Sequence, residues 1–357
     1  MDFGLALSNL FSPIVLAFAL GLIATFLRSD LKFPNELYTA ISIYLLLAIG
    51  LKGGYKLSIS HLEDFIKPAV AALLLGTAIP LLAFSFLRKF SSLSLFDCAA
   101  IAAHYGSVSA VTFAGAQSFQ DNLAANSLIS QGTLGGVYEG YLPGLLAIME
   151  VPAIIIGVFL AKVGGSLPIL GHKKFKVTAD TLGKESNSPN ESLALKALFI
   201  ELLAGKGSIL LLGGMVIGFL GGKGGWAQVS PFFDLPFKGI LTLFLLEAGL
   251  VTGRRIKDFK SVGIFLIGFG IVFPVLMGIL GIWIGKISGL SVGGAMIFGT
   301  LAASASYIAA PAACRVAIPE ANPTYSLTLS LAVTFPFNIT VGIPLYHQIS
   351  IILFQLG

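Results

Sequence analysis

Ionisable and hydroxylated side chains are scarce in the apolar stretches of this chain, so those that do occur there are the first place to look for chemistry. Glu150 and Glu247 are the acids that fall well inside such stretches. A carboxylate at membrane depth is costly unless partnered, which makes a functional reading the default. Glu150 stands two residues before Pro152, and a proline frees a backbone carbonyl one turn earlier. Carboxylate, freed carbonyl and nearby hydroxyls suit a hard cation such as sodium, which takes oxygen ligands. Glu247 has a similar setting beside Gly249 and Thr252. The plainer alternative is that either acid is protonated or paired with a polar neighbour. Thr334 and Asn338 flank Pro336, where a hydroxyl and an amide beside a helix break could ligate a cation or brace a crossing helix.

A second group of residues suits an anion. IAAHYGSVSAVTFAGAQ at 101–117 and IFGTLAASASYIAAPAA at 297–313 are membrane-length in setting yet rich in small and hydroxylated residues. Aligned so that Ser107 and Ser109 fall on Ser304 and Ser306, both read small-Ser-x-Ser. A helix broken in mid-membrane presents backbone N–H groups and the positive end of its dipole. The region of Gly106 and Pro311 are the natural break points, and Thr112 adds another hydroxyl. Neither stretch has a central Lys or Arg, which favours a small, weakly charged anion over phosphate. Close packing of small residues explains one such segment; two at corresponding places favour a site. His104 is a lone histidine, either a satisfied core group or a gating, proton-sensing one.

The elements that position these residues follow from composition. The 357 residues are 56% hydrophobic and 11% charged, too few charges for a water-exposed surface. The fold expected is therefore that of an all-α integral membrane protein. The start, MDFGLALSNL, lacks a basic region and an A-x-A site, so the first apolar segment is expected to stay as a span. Ten spans of about 20 residues are predicted, roughly 11–28, 37–54, 68–87, 95–117 and 139–162, then 207–224, 236–253, 262–286, 292–316 and 325–351. The polar interval 163–206 divides the chain into a first five-helix repeat, 1–162, and a second, 207–357. LLLAIGLKGG at 45–54 matches FLLEAGLVTG at 244–253, and Pro80 with Pro274, and Pro152 with Pro336, recur in the same order. An odd number of spans per half makes the repeat inverted. Most Lys and Arg, including Arg88, Lys89, Arg254, Arg255, Lys257 and Lys260, fall on the inner side if both termini are outside and the central loop is cytoplasmic. The net charge of +5 needs no nucleic-acid partner. Cys98 and Cys314 read as packing residues rather than a disulfide or metal pair. With no phosphate-binding G-x-x-x-x-G-K-[ST] loop, no H-E-x-x-H and no G-x-S-x-G, the chain is expected to be neither an ATP-driven pump nor an enzyme. An intramembrane enzyme built on His104 with Ser107 or Ser109 lacks an orienting acid.

At four motifs the chain resembles the sodium-dependent bicarbonate transporter family of cyanobacteria, the SbtA type. These are HYGSVSAVTF at 104–113, MEVPA at 149–153, SASYIAAPAACRVAIP at 304–319 and VTFPFNITVGIPLY at 333–346. The resemblance implies a 5+5 inverted repeat like that of bile-acid symporters and sodium–proton antiporters, with discontinuous helices four and nine crossing at the centre. It also implies a homotrimer in the cell membrane and a PII-like regulatory protein at the cytoplasmic face. By position, the bicarbonate cradle would be Gly106, Ser107, Ser109, Ser304, Ser306 and Tyr307, and the sodium shell Glu150, Glu247, Thr334 and Asn338. The family commonly has aspartate where this chain has Glu150. Sodium would be co-transported with bicarbonate, with no organic cofactor. The alternative keeps the architecture but carries another small anion or carboxylate, or exchanges ions with protons.

Overall fold

A computed structural model describes residues 8–127, 138–163 and 204–356, and among these residues all regular structure is helical. An apolar chain in lipid must satisfy its backbone within each segment, which helices do. In order they are α1 (Pro13–Phe26), α2 (Asn35–Ser58), α3 (Leu62–Phe90), α4 (Leu95–Gly106), α5 (Ala110–Ser127) and α6 (Leu142–Val163). Then come α7 (Lys206–Phe233), α8 (Phe237–Arg255), α9 (Phe259–Ile287), α10 (Val292–Ala302), α11 (Ala309–Ala317) and α12 (Pro323–Gln355). Six helical runs are long and apolar enough to cross a membrane, counting α8 and α9 as one run through the tight turn Ile256–Asp258. Exposure is inverted relative to a water-soluble protein. Ile264 is 89% exposed, whereas Ser107, Thr334 and Asn338 are fully buried. The chain is a multi-pass membrane protein with a buried polar centre.

Local sequence explains where the helices start, widen and stop. Ser94 and Ser291 cap α4 and α10, accepting from Asp97 N at 3.0 Å and Gly294 N at 3.1 Å. Each stands thirteen residues before the first serine of its small-Ser-x-Ser run. Both helices then stop, α4 at Ser107 in extended backbone and α10 at Ala303, before α5 and α11 resume. Pro336 interrupts α12 differently. It lacks an N–H and crowds the preceding turn, and π-helical turns at Leu329–Thr334 and Asn338–Gly342 lie on either side of it. Gly222, at φ 53°, bends α7 so that its last turns fold back along α2. Trp226 stacks on Tyr55 at 5.6 Å and Phe233 on Tyr44 at 5.4 Å. The sixth span was expected to end at 224; the bend at Gly222 carries helix to 233 instead.

Two close helix pairs form one side of the molecule. α1 lies along α8 and α2 along α7. Gly21 faces Gly249 and Gly50 faces Gly214, each so closely that an added Cβ would meet the partner's Cα at 3.0–3.2 Å. Gly50 and Gly249 are the glycines matched between the halves, and they make the same kind of contact. On the other side α3 packs on α4 and α6, α9 packs on α10, and α10 packs on the last turns of α12. Cys98 and Cys314 are both buried and unbonded.

Candidate functional site

The two helix breaks cross each other. Ser306 N donates to the carbonyl of His104 at 2.7 Å, and Ser109 N donates to Ser304 Oγ at 2.9 Å. Four residues from segments almost two hundred positions apart are thereby tied into one knot. Ser304 Oγ in turn donates to Leu301 O at 2.8 Å. Ser109 Oγ accepts from Thr112 N at 3.2 Å and from Thr112 Oγ1 at 3.0 Å, so its own O–H is left for a further acceptor. Ser306 Oγ caps α11 by accepting from Ala310 N at 3.3 Å. Ser107 Oγ is buried and has no hydrogen-bond partner among the described residues. The first N–H groups of α5 and α11 begin at this crossing, and such groups have no partner within their own helix.

A small cleft of about 20 Å³ opens beside the crossing, and its walls include Ser109, Ser306, Tyr307 and Glu150. The structure thus brings one expected cation ligand and three expected anion ligands to one place. Glu150 reaches it from α6, with its carboxylate so near α7 that a Cβ on Gly207 would lie 3.6 Å from Oε1. Gly106 acts by its absence of a side chain. A Cβ there would come within 2.6 Å of Pro80 and 2.8 Å of Ala153.

The remaining expected ligands lie outside that cleft's lining. Glu247 is buried on α8, and its Oε2 has no hydrogen-bond partner among the described residues. Thr334 donates to Gly270 O at 2.7 Å and pairs with the Tyr105 hydroxyl at 2.7 Å. Asn338 donates to Ala303 O at 2.8 Å and accepts from Tyr346 OH at 3.0 Å. Both therefore brace the neighbouring helices, and Asn338 holds the carbonyl at which α10 stops. His104 Nδ1 lies 2.7 Å from Ala100 O, a contact that requires the proton on Nδ1, while Nε2 is buried without a partner among the described residues. Three further contributors were not among the expected ligands. Tyr105 holds Thr334, Thr252 donates to Leu331 O at 2.9 Å in the first π turn, and Asn9 donates to Ile339 O at 3.0 Å in the second. Tyr105 at least stands in the His-Tyr-Gly-Ser motif; Asn9 carries no sequence signal, because its partner is a carbonyl freed 330 residues later.

Fold and site together define a multi-pass helical membrane protein with two interrupted helices crossing at a buried polar centre. The chain belongs to the Na+-dependent bicarbonate transporter superfamily, whose family model matches residues 13–351. At the level of that family the protein is a transporter rather than an enzyme, with sodium as the co-transported ion. No curated protein matches the chain.

Proposed function

We propose that the protein is a sodium–bicarbonate symporter that imports inorganic carbon across the cell membrane by alternating access. The observation that carries this reading is the crossing itself, Ser109 on Ser304 and Ser306 on His104, with Glu150 lining the same cleft. Two helix N-termini, each equivalent to roughly half a positive charge, and several hydroxyls offer an anion donors without a full cation. Sodium at Glu150 supplies the missing charge, so each ion binds better when the other is present. Gly106, Ser107, Ser109, Thr112, Ser304, Ser306 and Tyr307 form the bicarbonate cradle in this reading. Glu150 is the sodium ligand at the cleft; Glu247, Thr334 and Asn338, the other members of the expected shell, stand outside its lining, with Thr334 and Asn338 engaged as braces. The cleft of about 20 Å³ has room for about one water, so loading requires the two helix bundles to move apart.

The architecture belonging to this reading is a ten-span, 5+5 inverted repeat, with α4–α5 and α10–α11 each counted as one broken span. The matched glycine contacts of α2 with α7 and of α8 with α1 support it, as do the equivalent Ser94 and Ser291 caps. Both termini are then external and the central segment cytoplasmic. Residues 1–162 and 207–357 form the repeats, joined by 163–206, of which 164–203 lie outside the described residues. A homotrimer and a PII-like regulator at the cytoplasmic face complete the proposal and rest on the resemblance alone. The test is uptake of labelled bicarbonate by purified protein in vesicles, with and without an inward sodium gradient. Uptake that ignores sodium would refute coupling. Uptake of another small anion but not bicarbonate would move the substrate assignment to that anion.

A further inference from the structure

A cleft larger than the one at the crossing lies nearby. It has a volume of about 240 Å³, roughly eight waters at the density of the liquid, and lies between α2, α5 and the α7–α8 turn. Lys52, Lys56 and Lys238 all line it. These are three of the few basic residues that the charge bias assigns to the outer face, where lysine is normally sparse. Lys52 is paired with Asp234 at 2.8 Å, and the other carboxylate in the lining, Asp121, accepts from Tyr138 OH at 2.9 Å. Lys238 donates to the neutral amide of Asn122 at 2.9 Å. Lys56 is half-buried, its ammonium 5.5 Å over the Tyr55 ring, with no carboxylate in ion-pair range among the described residues. Three lysines against two aspartates leave the cleft one positive charge in surplus.

A chain of shared walls joins this cleft to the crossing. Ile49 lines both it and a narrow apolar gap bounded by Leu45, Leu46 and Phe244. Leu46, Ala110 and Ile308 line both that gap and the cleft holding Ser109, Ser306 and Glu150. Basic cleft, apolar seal and polar crossing therefore follow one another along the same faces of α2 and α5. We propose that the cleft of Lys52, Lys56 and Lys238 is an outer vestibule that recruits a small inorganic anion, with Ile49 and Phe244 in the seal between it and the crossing. The proposal rests on the transport reading for its direction, since recruitment matters only if the anion then passes inward. A cleft with a net charge concentrates ions of the opposite sign, and the effect fades with salt.

The experiment places a cysteine at Gln117, which lines the vestibule, in a Cys98→Ser/Cys314→Ser background. Its reaction with an anionic and a cationic methanethiosulfonate of similar size is timed with reagent outside the vesicle. At about 0.01 M salt, where the Debye length is about 30 Å, the anionic reagent should react faster by about tenfold, the low end of steering effects. Lys56→Gln/Lys238→Gln should reverse the preference, and Asp121→Asn should strengthen it. The same lysine pair should lower kcat/KM for bicarbonate several-fold at low salt with kcat unchanged. A cationic reagent that reacts as fast as the anionic one, or a preference that survives loss of both lysines, would overturn the vestibule. The reagent ratio needs no bicarbonate, so it decides the vestibule even if the parent protein moves none, a result that would sink the transport reading instead.

Discussion

Ser304→Ala is the sharpest perturbation of the crossing. Ser304 Oγ is the acceptor for Ser109 N, and the serine is 1% exposed, so water has no ready access to the orphaned donor. Leu301 O loses the hydroxyl proton but keeps Ser304 N at 3.0 Å, so a single buried N–H bears the damage. Leaving such a group unpaired costs about 1–3 kcal/mol. If the break must hold this geometry to bind the anion, the same free energy appears as an apparent affinity weakened by roughly 5- to 150-fold. Ser118→Ala is the matched control, because Ser118 is also buried, at 3% exposure, but its Oγ has no partner among the described residues. The assay is denaturation in detergent together with the KM for bicarbonate uptake in vesicles. Ser304→Ala should lose stability and affinity while Ser118→Ala stays within about 0.5 kcal/mol of the parent. If the two variants cannot be told apart, the hydrogen-bonded crossing does not organise the site.

The other expectations test the cation set and the scaffold. Glu150→Gln should raise the sodium concentration for half-maximal uptake by about tenfold or more, as expected for loss of a charged ligand; Lys223→Gln, on an exposed stretch of α7, serves as comparison, and equal effects would remove Glu150 from the sodium shell. Asn338→Leu leaves Ala303 O and Tyr346 OH unpaired, a cost of about 2–6 kcal/mol from two buried groups. It should lower the melting temperature in detergent even without sodium, and an effect confined to sodium-bound protein would make Asn338 a ligand instead of a brace. Gly249→Val should separate α8 from α1, since its Cβ would fall 2.1 Å from Phe18 O. Overpacking costs about 1–3 kcal/mol, and unchanged elution and melting would contradict the close helix contact.

Much of the fold is legible along the chain because lipid imposes a one-dimensional rule. Apolar length decides where helices run, and proline, glycine and serine decide where they break. The break at Ser107–Ser109 was expected near Gly106 and the interruption of α12 at Pro336, but the second break was expected at Pro311 and falls after Ala303 instead, because Pro311 sits in the first turn of α11, where a missing N–H costs no helical hydrogen bond. The fold-back after Gly222 was not expected, because an apolar run of that length reads equally well as a straight span. The candidate site divides similarly. Serines in two matching segments pointed to one place, whereas the sequence left Thr334 and Asn338 open between ligand and brace, and the structure adds protein partners for both.

The sequence by itself determined the class of the protein, the interruptions near Gly106 and at Pro336, and the polar residues that membrane burial makes worth explaining. It could do so because those depend on the solvent preference of each side chain and on local backbone geometry. Only the tertiary structure decided which of these residues meet. Ser109 reaches Ser304 across 195 positions, Glu150 lines the crossing cleft while Glu247 does not, and Lys52, Lys56 and Lys238 gather at one cleft. Such meetings depend on how helices distant in sequence pack, through glycine contacts a few ångströms wide, and no local preference encodes them. The paired Ser-x-Ser runs named the centre of the molecule; their crossing is what makes it a site.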